Sequence, residues 1–416
     1  MSTRILASIL ARRAGGTGRH GARRRQHGAI IIMAALTLLL LLGFMGIALD
    51  FGRMFIVKTE LQTALDSCAL ASARELDGQS DAITRAVGAG SAAGNLNGVN
   101  LQSANWSGQG QITSADISFL DKNYAVTTAP ASAVYSQCSH TQSNIHLWLM
   151  QAMGAFSGNT AGFPANGTVS THAVATRVPS QTACIIPVVL PQGSYVTGQW
   201  ITFDPKNGPM IWGNLDGTTD ANTTNSEMRD GYCISPSPNQ SITTPGTKTT
   251  VAEFWNFRFG IYKSNPSAPT GQPDYSSFIY NTSNWQGHDG AGNIGNAYQG
   301  SSPNGTPNFL AQRLAFMPCG ANPAACGIST GGYQTVAQTP TLKATGANRR
   351  IVTVPIVSGS TFKNQFACML MLDPLQPSSL VAHFEYLGLA SASNSPCFTS
   401  GFAGGTIGPL VPVLVR

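Results

Sequence analysis

The sequence predicts one N-terminal transmembrane helix that continues into an amphipathic stalk helix, followed by a β-rich α+β periplasmic region. Three observations support this fold class: an uncharged apolar run near the N-terminus, helical spacing directly after it, and short strand-like runs between Gly-, Asn- and Pro-rich loops over the remainder. The predicted domains are a basic cytoplasmic tail at 1–27, a transmembrane helix at 28–49, a stalk helix at 50–78 and a β-rich periplasmic region at 79–416 with one or two subdomains.

The transmembrane prediction comes from the run between Gly28 and Leu49, which is 22 residues long and contains no charged side chain. A bilayer's hydrocarbon core is about 30 Å thick, and roughly 20 helical residues at about 1.5 Å each cross it. The alternative is a signal peptide, whose apolar core usually spans about 7–15 residues before a small-x-small cleavage site. This run is longer and continues into Asp50-Phe51. We therefore expect an anchor that is not cleaved.

The charge distribution predicts the orientation of this anchor. Seven arginines and no acidic residue precede the span, whereas the charges of the other 17 basic residues are balanced by 18 acidic residues. The net charge of +6 therefore belongs to the short tail. Arginines beside a span favour the cytoplasmic side, so the C-terminal region is expected in the periplasm of a single-pass inner-membrane protein. Lys and Arg are not interleaved with aromatic residues in this region, so no nucleic-acid partner is expected.

The stalk helix is predicted because no Pro or Gly lies between Arg53 and Asp77, and Gly78 then offers a C-cap. Its apolar and small residues recur at spacings of four and three, which forms one face of a helix. This face could pack on the protein's own periplasmic region or on other membrane helices, and small residues inside the span favour the second alternative slightly. The predicted stalk-packing residues are Val57, Leu61, Ala64, Cys68 and Ala71, and the predicted membrane-packing residues are Gly43, Gly46 and Asp50.

The periplasmic region is predicted to be rich in β-structure because apolar or alternating runs recur along it. One helix is expected from Ile145 to Phe156 after an Asn144 cap, and the stretches 88–110 and 281–334 are expected to be loops. The predicted strands are Ala115–Leu120, Tyr124–Thr128, Val169–Val178, Ile185–Leu190, Ile351–Val357, Phe366–Leu372, His383–Leu387 and Leu410–Val415.

All eight cysteines follow the span, and an even number in an oxidising compartment predicts disulfide bonds. Cys319 and Cys326 enclose a turn-rich loop that could close on itself, and the other pairings cannot be read from the sequence. A zinc site is the competing use of these cysteines. No Cys-x-x-Cys or His-x3-His spacing occurs, so no metal is expected.

Residues 24–73 carry a specific set of short sequence motifs around the span. Arg25-Gln-His-Gly28-Ala29 precedes it, Ala48-Leu-Asp50-Phe-Gly52-Arg53 leaves it, and Leu61-Gln62-Thr-Ala64-Leu-Asp66 follows in the stalk. This segment resembles the TadE/TadG-like N-terminal region of Tad (Flp) pilus-assembly proteins, and weaker similarity to TadG-like proteins extends beyond it. The resemblance implies an inner-membrane, pilin-like accessory in pilus assembly or secretion. Its implied partners are the inner membrane and other Tad pilus-assembly or pilin-like proteins.

Two features of related proteins are missing from this sequence. Pilins of this kind are cut after a Gly that has a Glu five residues later, whereas the fifth residue after Gly28 is Met33. Some TadG-like proteins carry a metal-binding Asp-x-Ser-x-Ser run, and the nearest sequence, Asp274-Tyr-Ser-Ser, does not fit. We expect neither prepilin-type processing nor a metal-dependent adhesion site.

Three sequence motifs resemble patterns found in catalytic or ligand-binding sites, but none of them supports an enzyme. Gly327-Ile-Ser329-Thr-Gly331 has the letters of a nucleophile elbow, but its flanks are not a strand and a helix, and the one later histidine, His383, lies in an apolar strand. Gly290-Ala-Gly292-Asn-Ile-Gly295 likewise lacks the strand and helix that phosphate binding needs. The Asx-rich stretch 216–227 does not have EF-hand spacing and is expected to be a solvated turn. No catalytic residue, cofactor or small-molecule substrate is predicted.

The alternative function is a membrane-tethered binding module or adhesin. In that case Trp106, Trp212, Trp285 and Tyr275 would be exposed on polar loops to contact carbohydrate or peptidoglycan, although burial is more common for such residues. An assembly component needs this particular anchor helix, whereas a tether needs only some helix. Replacing the anchor would therefore separate the two functions.

Overall fold

The computed structural model describes residues 27–217, 219–235, 237–242, 249–263, 271–285, 294–302, 304–320, 324–328, 332–335, 338–399 and 401–415. It divides into two compact units. The anchor unit consists of the chain up to Phe55 together with Asn144–Gly167, and the large unit consists of Ile56–Ser143 and Thr168–Arg416. Of the predicted tail at 1–27, residues 1–26 lie outside the described residues, and His27 is the first residue of the N-terminal helix.

A long N-terminal helix followed by a β-rich region with several helices confirms the predicted fold class. The span and the stalk form one helix, α1, of 48 residues, and within the described chain one helix, Ile30–Arg74, is long and apolar enough to cross a membrane. The helices are α1 His27–Arg74, α2 Ala82–Asn95, α3 Trp148–Ser157, α4 Ala221–Asp230, α5 Val251–Phe257, α6 Phe309–Leu314 and α7 Thr339–Thr345.

Within the described residues the β-structure, most of it in the large unit, comprises two sheets and a two-stranded ribbon. One sheet has the order β1-β2-β3-β14, and the ribbon pairs β9 with β10. The main sheet has eight strands in the order β6-β13-β12-β11-β4-β8, with β5 beside β11 and β7 beside β5. The strands are β1 Ile117–Leu120, β2 Tyr135–His146, β3 Asn166–Pro179, β4 Ala183–Ile185, β5 Val188–Pro191, β6 Trp200–Phe203, β7 Ile211–Trp212, β8 Tyr232–Ile234, β9 Ile261–Lys263, β10 Tyr333–Thr335, β11 Ile351–Ser358, β12 Thr361–Met371, β13 Ala382–Leu389 and β14 Leu410–Leu414.

The core of the large unit lies on both faces of the main sheet. Along β12, Ala367 and Met369 belong to one buried cluster, whereas Phe366, Cys368 and Leu370 belong to another. Alternate residues of a strand point to opposite faces, so this strand is covered on both sides. That position explains why the second half of β12, from Phe366 to Met371, is a continuous apolar run rather than an alternating one.

Several local expectations were wrong. Tyr124–Thr128 is not a strand: Tyr124 turns with φ +62°, and Val126 forms only an isolated bridge. The helix expected from Ile145 begins at Trp148, because Ile145 still belongs to β2. The stretch expected to be a loop from residue 88 contains the second half of α2. The Asx-rich stretch forms α4, with the carboxylate of Asp220 accepting the Thr223 backbone N–H as its N-cap.

Candidate functional site

The most informative local geometry in the anchor unit is the contact between α1 and the start of α3. Asp50 is only 5% exposed, and its Oδ2 accepts the backbone N–H of Met150 at 2.7 Å. The first backbone N–H groups of a helix have no partner inside the helix, and the preceding residue, Leu147, supplies no side-chain cap. The carboxylate of α1 therefore performs the capping role for α3, and its negative charge also suits the positive end of the helix dipole.

Arg53 also contacts the start of α3 and the residue that ends β2. Its Nη1 donates to the carbonyl of His146 at 3.0 Å, and its guanidinium lies 4.4 Å from the centre of the Trp148 ring. Asp50 and Arg53 are three residues apart, so they lie on neighbouring positions of one helix face. Together they fix the end of β2 and the first turn of α3 against α1.

Gly43 and Gly46 lie beneath the body of α3. A Cβ at Gly46 would stand 3.1 Å from the Leu149 Cβ, and a Cβ at Gly43 would stand 3.4 Å from the Met153 Cε. Later residues of α3 thus face earlier residues of α1, which makes the two helices antiparallel. The small residues predicted for membrane packing are covered by the chain's own helix, and packing of another protein's helix on them stays a prediction.

The predicted stripe of the stalk is buried inside the large unit. Four of its residues are fully buried and Ala71 is half-buried. The facing residues belong to α2, whose buried positions are all Ala or Gly and recur every four residues. This packing corrects the slight preference for contact with other membrane helices. The fully buried stalk residues are Val57, Leu61, Ala64 and Cys68, and the buried α2 residues are Ala82, Ala86, Gly90 and Gly94. Ala64 and Cys68 are the stripe residues that lie against Gly90 and Gly94.

The two glycines of α2 permit a close helix–helix approach. A Cβ at Gly90 would collide with the Oγ of Ser72 and would lie 3.2 Å from the Cys68 carbonyl oxygen. Ser72 is itself buried and donates to the carbonyl of Ala86 at 2.8 Å. At Gly94 the added carbon would lie 3.2 Å from both the Ala64 carbonyl oxygen and the Cys68 Cβ. Glycine at these positions is therefore a packing requirement.

Comparison with protein-family models gives a match for the segment that contains Gly43, Gly46, Asp50 and the stalk stripe. Residues 28–75 match the model described as putative Flp pilus-assembly TadE/G-like. This segment is a TadE/G-like domain. Comparison with curated proteins and with solved structures gave no match.

The TadE/G-like segment coincides with α1, and its residues hold elements from later in the chain. Gly43, Gly46, Asp50 and Arg53 contact the α3 region, and Ala64, Cys68 and Ser72 contact α2. The segment therefore supplies both a candidate membrane span and a packing surface for the rest of the protein.

Four disulfide bonds account for all eight cysteines. Cys319 and Cys326 are bonded to each other, and Cys68 of the TadE/G-like segment is bonded to Cys138 of β2. The remaining pairs are Cys184–Cys233 and Cys368–Cys397. Among the described residues, no group of three or more His, Cys, Asp or Glu side chains is placed to hold a metal ion.

A cleft of about 1280 Å³ in the large unit begins beside the last residues of the TadE/G-like segment. Arg85 donates to Asp77 at 2.7 Å and to Asp81 at 3.1 Å. Burial lowers the pKa of Arg85, but these carboxylates outweigh burial and raise the pKa above its ordinary value. Burial lowers the pKa of Arg177 to about 10, and this side chain donates to the carbonyl of Leu76. The cleft wall is thus a network of paired charges.

Of the residues considered for an enzyme, the structure describes His383. His383 lies within 2.7 Å of Asp373 through its Nδ1, and although burial lowers its pKa, the hydrogen bond to Asp373 raises it overall. Ser329 and the first four residues of the glycine-rich 290–295 motif lie outside the described residues.

The aromatic residues considered for carbohydrate contact are mostly internal. Trp106, Trp212 and Trp285 are buried, each at 1% exposure or less. Tyr275 is half-buried, and its ring lies 5.6 Å from the Arg313 guanidinium. The three tryptophans therefore belong to the core and offer no surface to a ligand.

Proposed function

We propose that this protein is a non-enzymatic, pilin-like accessory of Tad/Flp pilus assembly or secretion, anchored by α1 in the bacterial inner membrane. The observation that carries the proposal is the match of residues 28–75 to the pilus-assembly model, together with the single continuous helix that these residues form. In the proposed orientation the N-terminus is cytoplasmic, because the arginines precede the span, and the remainder is periplasmic. Four disulfide bonds fit an oxidising compartment.

In the proposed mechanism α1 docks with other helices of the pilus machinery, and the large unit contacts pilus or partner subunits in the periplasm. The glycine face of α1 is covered by α3, so partner helices would use the opposite face. Leu38, Leu41 and Met45 lie on that face at about 100° per residue, and all three are exposed. In a bilayer, contacts between such helices depend on close packing of side chains.

The experiment is to delete the gene and count surface pili by electron microscopy, beside a strain complemented with the full chain. Loss of pili that complementation restores would support the assembly role. Normal pili in the deletion strain would contradict it. An immunoblot of the complemented strain controls for accumulation of the protein.

The second candidate function is a membrane-tethered binding module, and the cleft of about 1280 Å³ is the observation that favours it. Its lining includes the basic side chains of Arg74, Arg313 and Lys343. A tethered module would leave pilus number unchanged in the deletion strain. It would also keep its activity when the TadE/G-like segment is replaced by an unrelated anchor.

A further inference from the structure

The helix α3 carries large apolar side chains that no other part of the described chain covers. Trp148 is 62% exposed and Phe156 is 77% exposed, at opposite ends of the helix. Leu149 is also partly exposed although it touches Gly46. The helix has no charged residue. An exposed apolar helix of this kind is unfavourable in water and is typical of a surface that meets a membrane or another protein.

The position of α3 along α1 places it at membrane depth. Its first turn is held at Asp50, just beyond the predicted span, and Met153 lies against Gly43 inside the span. Gly43 precedes Asp50 by seven residues, or about 10 Å at the helical rise of about 1.5 Å per residue. Half of the hydrocarbon core is about 15 Å thick. Four further residues take α3 to Ser157, about 16 Å from the level of Asp50. If α1 crosses the bilayer, α3 therefore reaches through one leaflet and ends near the midplane.

The apolar surface of α1 is continuous with that of α3 at this depth. Leu42 and Phe44, which flank Gly43 on the surface of α1, are 56% and 65% exposed, at the level where Met153 meets Gly43. Residues of a membrane span that face outward contact lipid. The uncovered side chains of α3 lie at the same depth and therefore meet the same surroundings.

Several polar groups at each end of α3 have partners within the chain, which favours a place inside hydrocarbon, where water is absent. Asp50 caps the first turn of α3. The Leu147 N–H donates to the Ala165 carbonyl at 2.8 Å, so the residue before α3 is joined to the chain that returns from its far end. At the tip the helix ends in the left-handed Gly158, and the Asn159 side-chain oxygen accepts the Gly162 N–H at 3.0 Å. The tip thus satisfies part of its own backbone without water.

We propose that α3 is a half-membrane helix that inserts into the periplasmic leaflet beside α1, with lipid as the partner of its exposed side chains. Trp148 then lies at the headgroup level, where tryptophan is enriched, and Phe156 lies among the acyl chains. The inference rests on the proposed function only in requiring that α1 spans the bilayer. It gives Asp50 and Arg53 a role beyond the span itself, because they fix the point at which the chain turns back into the membrane.

The test measures the depth of a spin label on the full-length, oxidised protein in liposomes of phosphatidylethanolamine and phosphatidylglycerol. All eight native cysteines are in disulfide bonds, so Phe156→Cys supplies the one reactive thiol. Leu38→Cys, on the opposite side of α1, is the lipid control, and Lys122→Cys, on an exposed turn, is the aqueous control. Accessibility to oxygen, which concentrates in lipid, is compared with accessibility to a water-soluble nickel chelate.

We expect the label at Phe156 to match that at Leu38: accessible to oxygen and protected from nickel. A nickel-accessible label at Phe156 with a lipid-embedded label at Leu38 would overturn the inference and leave the anchor intact. Protection from both reagents at Phe156 would also overturn it, because a protein would then cover α3. A nickel-accessible label at Leu38 would overturn both the inference and the proposed span.

A second variant pair tests the role of Asp50 in positioning α3. Asp50→Ala removes the acceptor for the Met150 N–H, whereas Asp50→Asn keeps an acceptor oxygen and removes the charge. In the Asp50→Ala background, nickel accessibility of the label at position 156 should rise several-fold. In the Asp50→Asn background, this accessibility should stay closer to that of the labelled protein with Asp50. Equal protection of the label in all three proteins would contradict the capping role.

Discussion

Replacing Gly90 by alanine should loosen the contact between α1 and α2, whereas the same replacement two residues earlier should not. A Cβ at Gly90 would collide with the Ser72 hydroxyl, which donates to the Ala86 carbonyl inside the helix pair. Gly88 lies on the exposed side of α2, and no atom lies within 4 Å of a Cβ built there. The two variants make the same chemical change in the same helix and differ only in what the new methyl group meets.

The magnitude follows from three contributions. Alanine stabilises a helix interior by about 0.5–1 kcal/mol relative to glycine, and this is the whole expected effect at Gly88. At Gly90 the displaced Ser72 hydroxyl and its buried partner cost about 1–3 kcal/mol. Overpacking against the Cys68 carbonyl costs a further 1–3 kcal/mol or so. Gly90→Ala should therefore lower the free energy of unfolding by roughly 1–5 kcal/mol, while Gly88→Ala raises it slightly.

The assay is urea unfolding of the full chain in detergent micelles, followed by the fluorescence of the buried tryptophans. A double-mutant cycle identifies the cause. Ser72→Ala removes the hydroxyl that collides with the new methyl group, so the double variant Ser72→Ala/Gly90→Ala should be more stable than the sum of the single effects, by about 1 kcal/mol or more. Equal stability of Gly90→Ala and Gly88→Ala, or strict additivity in the cycle, would refute the described packing.

Three further predictions concern the membrane contact, the disulfide bonds and a buried acid. Gly46→Arg should dislodge α3, because even a Cβ there stands 3.1 Å from Leu149, and should abolish pili while the full-length protein still accumulates in the membrane fraction. Loop-closure entropy predicts that replacing both cysteines of the Cys68–Cys138 bond, 70 residues apart, costs about 4 kcal/mol, against about 2–3 kcal/mol for Cys319–Cys326, 7 apart. Burial and the neighbouring Asp216 raise the pKa of Glu227 to about 8, so the folded state holds a proton that the unfolded state loses near pH 4.5. Stability should therefore fall by roughly 2–4 kcal/mol as the pH rises from about 4.5 to 8, and Glu227→Gln should flatten this part of the profile.

Each of these predictions has a control and an opposing result. Gly52→Arg adds the same charge beyond the predicted span at a position with no atom within 4 Å of a Cβ, and it should keep pili. Normal piliation by an accumulated Gly46→Arg protein would contradict the packing of α3. Equal losses of stability from the two disulfide bonds would contradict the loop-length argument. A pH profile of Glu227→Gln that is identical to that of the parent would show that another group titrates.

The sequence predicted α1 well, because the span and the stalk carry local signals. Hydrophobic length identified the span, and the four-and-three spacing from Val57 identified the buried stripe. The sequence did not predict α2, since its glycines weaken the intrinsic preference for a helix. Those glycines fit the close contact with α1, and tertiary packing overrides the local preference.

The contact between Asp50 and α3 could not be predicted, because its two residues are 100 positions apart in the chain. Asp50 was singled out as part of a family pattern, and its hydrogen bond to the start of another helix depends on the fold. The same limit applies to most disulfide bonds: the seven-residue separation of Cys319 and Cys326 made their pairing a candidate, whereas Cys68 and Cys138 are 70 residues apart. Long-range pairing requires the three-dimensional arrangement of the strands and helices.

The most direct test of the central claim is the number of surface pili in deletion cells that produce the chain with an unrelated anchor. The replacement covers the predicted span and changes no residue of the large unit, and immunoblotting matches its amount to that of the complementing native protein. If α1 acts in pilus assembly, cells with the native chain will have pili and cells with the exchanged anchor will have few or none. Normal pilus numbers with the exchanged anchor would contradict the account, because any tether would then suffice.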